Sequence, residues 1–537
     1  MAFTASAVME MRASGSSNLN SGVFDAGVAV PGTDYTLQDA SQANGTDLAS
    51  ADGTTATPTV TSAGYSFGTA DEGNTIVVSA GTNWTVSIFV ITNTSGGGAI
   101  LDKACGSVDA LSNGTWRMGG AYPGGNSTAG ISDDSRFELM DDGTTIWIKA
   151  GTYTLNEISY TNVGTVLDSI STKGYNATRG DNPTGDDRPL LTMGANRLLM
   201  GAIGFKTENL RLTGTGTIVF SVGGNTGTSR ARNIKAVNTS TTAARAGINL
   251  GFLDILVDSE GVAYRGNGIV VGSGGTGTIV GCWAHSSNNG FHVTNGSAYI
   301  LNSISSDNVT SAYTATGTQS TTLLVNNTFI GGATSKRGTG IVLATPNGTV
   351  ITNNIIANFD TGISKTSEGS SPLLVFDYNN VYNCTTDATN VTLGTGCIDL
   401  DPTFTDVTQV NNEGTVTSGA ADNIITDSTQ DFTAEGVVAG RDYFYLVSGT
   451  NSTVGMYGIT AVGTTTLTLD LDPSSAGTGS SIVYQIVRGQ NFKVGTNMKA
   501  VGWPGAFQGG YTTSYLDIGA AQRVEPAAGG AGGFFIS

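Results

Sequence analysis

The strongest constraint on this chain is a short phrase that recurs about every 25 residues and never lengthens into a helix-sized segment. Ile300-Leu301-Asn302-Ser303-Ile304, Leu324-Val325-Asn326-Asn327-Thr328-Phe329, Ile351-Thr352-Asn353-Asn354-Ile355-Ile356 and Phe376-Asp377-Tyr378-Asn379-Asn380-Val381-Tyr382 share one pattern. Taking Asn302, Asn327, Asn354 and Asn380 as one column gives spacings of 25, 27 and 26 residues. Cys282 extends the column upstream by 20, and weaker matches near Asp254 and Asn233 bring the total to about seven coils. A fixed period of this size marks stacked repeats, each burying its apolar side against the next.

Each coil carries a second apolar run led by a small residue: Gly268-Ile269-Val270-Val271, Gly290-Phe291-His292-Val293, Gly340-Ile341-Val342-Leu343 and Gly362-Ile363. These runs have four to six residues, alternate apolar with polar, and are bounded by Gly, Asn, Ser and Thr, which is strand chemistry. A helical repeat would need segments of about 10–15 residues with a 3.6-residue period, and none is present. The expected fold class is all-β: a solenoid of short stacked strands flanked by two small antiparallel β modules. Asparagines stacked at one turn can satisfy backbone groups and one another, so the column is read as a structural ladder.

Glycine is frequent, at 77 of 537 residues, and only 12% of residues are charged. Such a mixture could be a linker, but 39% hydrophobic residues in short Val/Ile/Leu runs provide enough apolar surface to offset ordering entropy. The net charge of −18 and the lack of a Lys/Arg-rich block argue against gripping nucleic acid, because phosphate neutralisation needs clustered cations. No stretch approaches the ~20 apolar residues of a membrane span, and the N-terminal residues lack a basic segment followed by an apolar core. The expectation is synthesis in a host cytoplasm without a signal peptide and without membrane insertion.

The flanks divide the chain further. Residues 1–58 read as an arm or attachment segment, 59–122 as a small β module, 123–411 as the β-helix, 412–492 as a second module, and 493–537 as a closing strand at Tyr515-Leu516-Asp517-Ile518-Gly519-Ala520 with a glycine-rich tail. The modules are paired because Phe67, Asp71, Gly81-Thr82, Ile91-Thr92 and Leu101-Asp102 recur in order as Phe432, Asp442, Gly449-Thr450, Ile459-Thr460 and Leu469-Asp470. The apolar end Phe534-Phe535-Ile536 is either a contact with a neighbouring subunit or a frayed terminus.

The opening phrase "IWIKAGTYTL", the coil phrases "ILNSISSDN" and "ITNNIIANFDTGI", the late "FDYNNVYN" and the closing "YLDIGAAQR" resemble the pectate-lyase-like β-helix superfamily, and within it the β-helix proteins of phage genomes. The N-terminal "MRASGSSNLNSGVFDAG" is similar to the same group. The resemblance implies an all-β, right-handed parallel β-helix solenoid, a virion-surface location as a spike, fibre or capsid decoration, contact with other capsid or tail proteins, and a homotrimer. These phrases mark a fold and not a reaction, so function inferred from them is analogy.

Proteins of that superfamily that are enzymes commonly act on polysaccharides. Equivalent positions in adjacent coils lie ~4.8 Å apart, so acids one or two coils apart can approach the separations used in glycoside hydrolysis. Asp307 and Asp360 are the candidate catalytic pair, with Asp258 and Glu260 less well aligned; solvated or turn-stabilising acids are the competing reading. Lyase chemistry would need acids holding calcium beside a base, and Lys336-Arg337, the only basic doublet in the clear coils, has no acidic cluster next to it. His285 and His292 lie on different strands of one coil and read as packing or surface residues.

Gly272-Ser273-Gly274-Gly275-Thr276-Gly277 matches GxGxxG but leads into another strand, where a dinucleotide site needs a helix N-terminus. Cys105, Cys282, Cys384 and Cys397 include no CxxC pair, so no metal site or cofactor is expected. Cys384 and Cys397 are near enough in sequence for a disulfide, although a reducing cytosol disfavours one. The Asn-x-Ser/Thr triplets follow from an Asn/Thr-rich composition. The leading expectation is a non-enzymatic virion-surface structural protein; the alternative is a tailspike that binds or hydrolyses host surface polysaccharide as a depolymerase or glycoside hydrolase.

Overall fold

The computed structural model describes residues 7–13, 20, 22–25, 43–125, 132–140, 143–160, 170–200, 204–223, 228–240, 242–317, 320–332, 336–344, 346–367, 374–404, 413–416, 423–440, 442–474 and 479–488. It divides into two units, Met1–Ala236 with Phe252–Asp254, and Val237–Gly251 with Ile255–Ser537. Parallel strands in both units make about nine turns of β-solenoid, more than the seven read from sequence. The described residues include one five-residue α-helix, Asp133–Phe137.

In the first unit, six antiparallel strands close a barrel in the order Ala43–Ser50, Thr59–Thr61, Gly98–Leu101, Ser87–Ser95, Thr75–Ala80 and Leu111–Met118. The barrel thus begins at Ala43, so the 1–58/59–122 boundary falls too late. Thr and Gly blur the first strand, whose alternation is completed only by pairing with Leu111–Met118. Phe67, Trp84, Phe89 and Trp116 fill the barrel. The segment read as an arm also contributes a coil strand: Ala7–Met11 pairs in parallel with Thr145–Lys149, which pairs with Ser171–Tyr175. Charged Glu10 and Arg12 disguised it. Both are buried, and Glu10 is satisfied by Arg12 Nε at 3.0 Å, by Arg179 and by the Tyr175 hydroxyl, the pairing a buried charge requires.

In the second unit each coil supplies three strands. The first sheet stacks Thr276–Val280, Ser297–Leu301, Ser320–Val325, Pro346–Thr352 and Leu374–Asp377. The second stacks Glu260–Ala263, Trp283–His285, Ile304–Ser306, Thr328–Ile330, Ile355–Ala357 and Asn380–Tyr382. The third runs from Ala246–Leu250 through Asn267–Val271, Asn289–Thr294, Ser311–Thr316, Thr339–Leu343 and Thr361–Lys365 to Thr386–Thr389. Alternation sends Ile279, Ile300, Leu324, Ile351 and Phe376 inward from the first sheet, and Ile269, Phe291, Tyr313, Ile341 and Ile363 inward from the third.

The small residues that lead the third-sheet strands mark a corner where backbones nearly touch. A Cβ on Gly340 would sit 2.5 Å from the Gly362 carbonyl oxygen, and one on Gly362 would sit 2.5 Å from the Asp387 carbonyl oxygen. The chain then makes a six-stranded antiparallel sheet in the order Glu413–Thr415, Ser480–Arg488, Asp442–Thr450, Gly455–Val462, Thr466–Leu469 and Ile424–Thr426. Its likeness to the barrel extends to hydrogen bonding. Val90 and Asp102 exchange bonds through the Asp102 side chain and both backbones, and Gly458 and Asp470 do the same. The closing strand and glycine-rich tail read at 493–537 lie outside the described residues.

Candidate functional site

The asparagine column resolves into two adjacent columns. Asn302, Asn326, Asn353 and Tyr378 hold the left-handed turn, with φ between 50° and 58°. Asparagine tolerates this conformation better than most non-glycine residues. One residue later, Ser303, Asn327, Asn354 and Asn379 point into the coil stack and form the ladder.

The bonds run in one direction. The Cys282 N–H donates to Ser303 Oγ (3.1 Å), Ser303 N–H to Asn327 Oδ1 (2.9 Å), Asn327 N–H to Asn354 Oδ1 (2.8 Å) and Asn354 N–H to Asn379 Oδ1 (3.0 Å). The amide nitrogens of Asn327, Asn354 and Asn379 donate to the carbonyls of Ile300, Leu324 and Ile351. Of the four asparagines read as one column, Asn327 and Asn354 lie on this ladder. Asn302 belongs one position before the ladder, and Asn380 one position after it, where it exchanges bonds with the Leu400 backbone at 2.7 and 3.0 Å. Doubled asparagines made a one-residue slip invisible in the sequence.

The outward face of the second sheet carries a group of ionisable and aromatic side chains. Glu260, Trp283 and His285 project from neighbouring coils. His285 lies flat on Trp283, with ring centroids 3.7 Å apart, and its Nε2 is 2.9 Å from Glu260 Oε1. The second module closes over this face. Tyr443, Tyr445 and Met456 pack with Val262 and Tyr264, and the Tyr443 ring meets His285 edge-on at 5.6 Å. Arg265 donates to the Tyr457 hydroxyl, and its guanidinium lies 5.1 Å from that ring. Arg337 sits 4.7 Å over Tyr445 and 3.9 Å from Asp307.

Asp307 is buried, and desolvation raises its carboxyl to about 6 against the opposing pull of Arg337. Asp360 is exposed and follows the Asn358 turn by two positions, whereas Asp307 itself occupies the matching turn position of its own coil. The structure thus puts the two acids of the candidate pair in different columns and different environments. Asp258 holds a left-handed turn, and Glu260 is the partner of His285. Lys336-Arg337 presents Arg337 to Asp307 and Tyr445. His292 lies on the third sheet with Nε2 3.3 Å from Thr316 Oγ1, and burial lowers its pKa.

Gly272–Gly275 makes a turn into the strand Thr276–Val280, as the sequence reading required. All four cysteines are free thiols, and no group of three or more metal-ligating side chains occurs among the described residues. Among these same residues, no helix is long and apolar enough to cross a membrane.

The sequence reading missed the covering of this face, although a signal for it exists. Asp442–Thr450 carries Tyr443 and Tyr445 on one side and Phe444 and Leu446 on the other, and a strand apolar on both faces is buried on both. Phe444 and Leu446 enter the module core, while Tyr443 and Tyr445 meet the coils.

No family model and no curated protein matches the chain. Among solved structures it is similar to pectate lyase Pel9A, at 13% identity and a TM-score of 0.39, over 74% of this chain and 92% of that one. It is similar to the tailspike gp61 of Pseudomonas phage phi297, at 10% identity and a TM-score of 0.23, over 82% of this chain and 81% of that one. A third is the gp54 tailspike of Acinetobacter baumannii bacteriophage AP22 in complex with a capsular saccharide, at 10% identity and a TM-score of 0.16, over 83% of each chain.

Proposed function

We propose that this chain is a non-enzymatic structural protein of a bacteriophage virion surface, in which the coils supply a stiff surface and the barrel and N-terminal strands attach to capsid or tail proteins. The observation that carries this reading is the use made of the ionisable groups on the coil face. Glu260, His285, Asp307 and Arg337 are engaged with one another and with Tyr443 and Tyr445 of a module folded onto them. Such an arrangement rigidifies a solenoid. The phrases shared with phage β-helix proteins support the setting. Immunogold labelling of intact particles with an antibody to this chain tests it: label on the particle surface is expected, and particles without label overturn it.

A homotrimer is part of the same reading. On the first sheet Tyr299, Leu323, Val350 and Val375 form one outward column, with Leu301 and Val325 beside it, all partly exposed. An apolar stripe of this length suits contact with further copies of the chain.

The second reading is a tailspike that binds or cleaves host surface polysaccharide. Tyr299, 36% exposed on the first sheet with Thr278 and Leu323 as its partners in the adjacent coils, is the observation that favours it, since an aromatic face can stack on a sugar ring. Incubation with host capsular or O-antigen polysaccharide separates the two readings. New reducing ends that disappear in Asp307→Asn or Asp360→Asn would establish the enzyme.

A further inference from the structure

We propose that the second module is a proton-controlled latch, closed on the outward face of the second sheet in acid and loosened above neutrality so that Trp283 and His285 are uncovered. The proposal stands on what lines the contact. From the coils come Glu260, Tyr264, Arg265, His285, Asp307 and Arg337, together with the apolar Val262 and Val309. From the module come Tyr443 and Tyr445 on one strand, Met456 and Tyr457 on the next, and Asp470 where Thr466–Leu469 ends; Asp442 and Asp472 stand behind them. A contact made only to be permanent would be expected to exclude carboxylates, because an acid taken out of water resists ionisation.

Two carboxylates are held in this contact. Asp470 accepts the Gly458 N–H at 2.9 Å and stands beside the Tyr264 hydroxyl; a Cβ on Gly458 would meet that hydroxyl at 2.7 Å and Asp470 Oδ2 at 3.2 Å. The two surfaces therefore meet with no room for a side chain at 458. Asp307 lies under Arg337, which in turn lies on Tyr445. Burial raises Asp470 and Asp307 each to about 6.

The direction follows from linkage. A carboxyl whose pKa is higher in the closed form contributes fully to closure below its free value near ~4, and that contribution is lost as pH rises through about 6. His285 and Glu260 face the same contact, their hydrogen bond lying within the coils beneath Tyr443. Arg337 opposes the rise at Asp307, whose carboxyl it pulls down, without cancelling the larger effect of burial. Asp470 alone would weaken closure about tenfold between pH 5 and 7.5.

Met456 reports closure, because it is fully buried and packs in this contact. The full-length protein is treated with hydrogen peroxide at pH 5, 6.5 and 8, and Met456 sulfoxide is quantified by peptide mass spectrometry against free methionine. Amide exchange over Asp442–Thr450 and Ser480–Arg488 is followed in parallel. The expected result is oxidation at least tenfold faster at pH 8 than at pH 5, with amide protection in the module unchanged and the dependence flattened below about threefold in Asp470→Asn combined with Asp307→Asn.

Equal rates at pH 5 and 8 would overturn the latch. So would faster oxidation accompanied by loss of protection across the module, which is unfolding and not release. Should the double variant fail to fold, Asp470→Asn alone must halve the logarithm of the pH response; a full response in that variant also sinks the proposal.

Discussion

Glu260 and His285 occupy neighbouring coils and meet through a 2.9 Å hydrogen bond, with the imidazole held between the Trp283 ring below and the Tyr443 edge above. A neighbouring coil and the second module converge on that ring, so its removal reads out the contact between coils and module. His285→Ala loses two hydrogen bonds, to Glu260 and Ser286, and two aromatic contacts. The expected cost is about 2 kcal/mol, measured as a shift in the urea midpoint of the transition that reports the coils.

The ladder assignment makes a sharper prediction. Asn354→Ala strands the Asn327 N–H and the Leu324 carbonyl inside the stack and should cost about 3–5 kcal/mol. Asn302→Gly, at an exposed left-handed turn, should change stability by less than about 0.5 kcal/mol. Chemical denaturation of the two variants separates the columns; equal effects would return Asn302 to the ladder.

At the corner between coils, Gly340→Ala places a methyl group 2.5 Å from the Gly362 oxygen and 2.6 Å from Ile356 Cγ2. Neither neighbour can retreat without moving its strand. A loss of about 1–3 kcal/mol is expected. Amide exchange should show the loosening concentrated in Thr339–Leu343 and Thr361–Lys365.

Asp307 gives the coils a pH dependence. Its carboxyl is raised by burial, so its contribution to stability is complete below the unfolded value of ~4 and declines as pH climbs through about 6. Asp307→Asn should remove that decline. Relative to the variant, the wild type should lose up to about 3 kcal/mol between pH 4 and pH 8, observed as a crossing of the two stability curves.

The apolar column on the first sheet predicts the state of assembly. Leu323→Glu with Val350→Glu puts two charges on an otherwise uncharged stripe and should convert a trimer into monomers in sedimentation velocity, with the far-ultraviolet spectrum unchanged. A wild-type protein that sediments as a monomer would remove the homotrimer from the proposal.

The coil architecture was legible because it depends on local chemistry repeated many times. Alternating Ile, Leu and Val at Ile279, Ile300, Leu324 and Ile351, with turn residues at a fixed offset, allow few other arrangements. Register was harder to read. Asn326 and Asn353 serve the turn while Asn327 and Asn354 serve the ladder, and identical side chains in adjacent positions do not reveal which points inward. The module contact was not legible as a site, since Glu260 and Asp470 are 210 residues apart and neither belongs to a motif. Asp307 and Asp360 looked alike because turn offsets in the sequence carry no information about burial.

The one-way bonding of the ladder also dictates how damage to the coils spreads. From Cys282 through Ser303, Asn327 and Asn354 to Asn379, each backbone donor is capped by a side chain of the following coil. Loss of any one of these side chains therefore orphans a single donor, that of the preceding coil, and leaves the remaining links of the series paired. The residue after the last link, Asn380, makes its bonds elsewhere, to the Leu400 backbone.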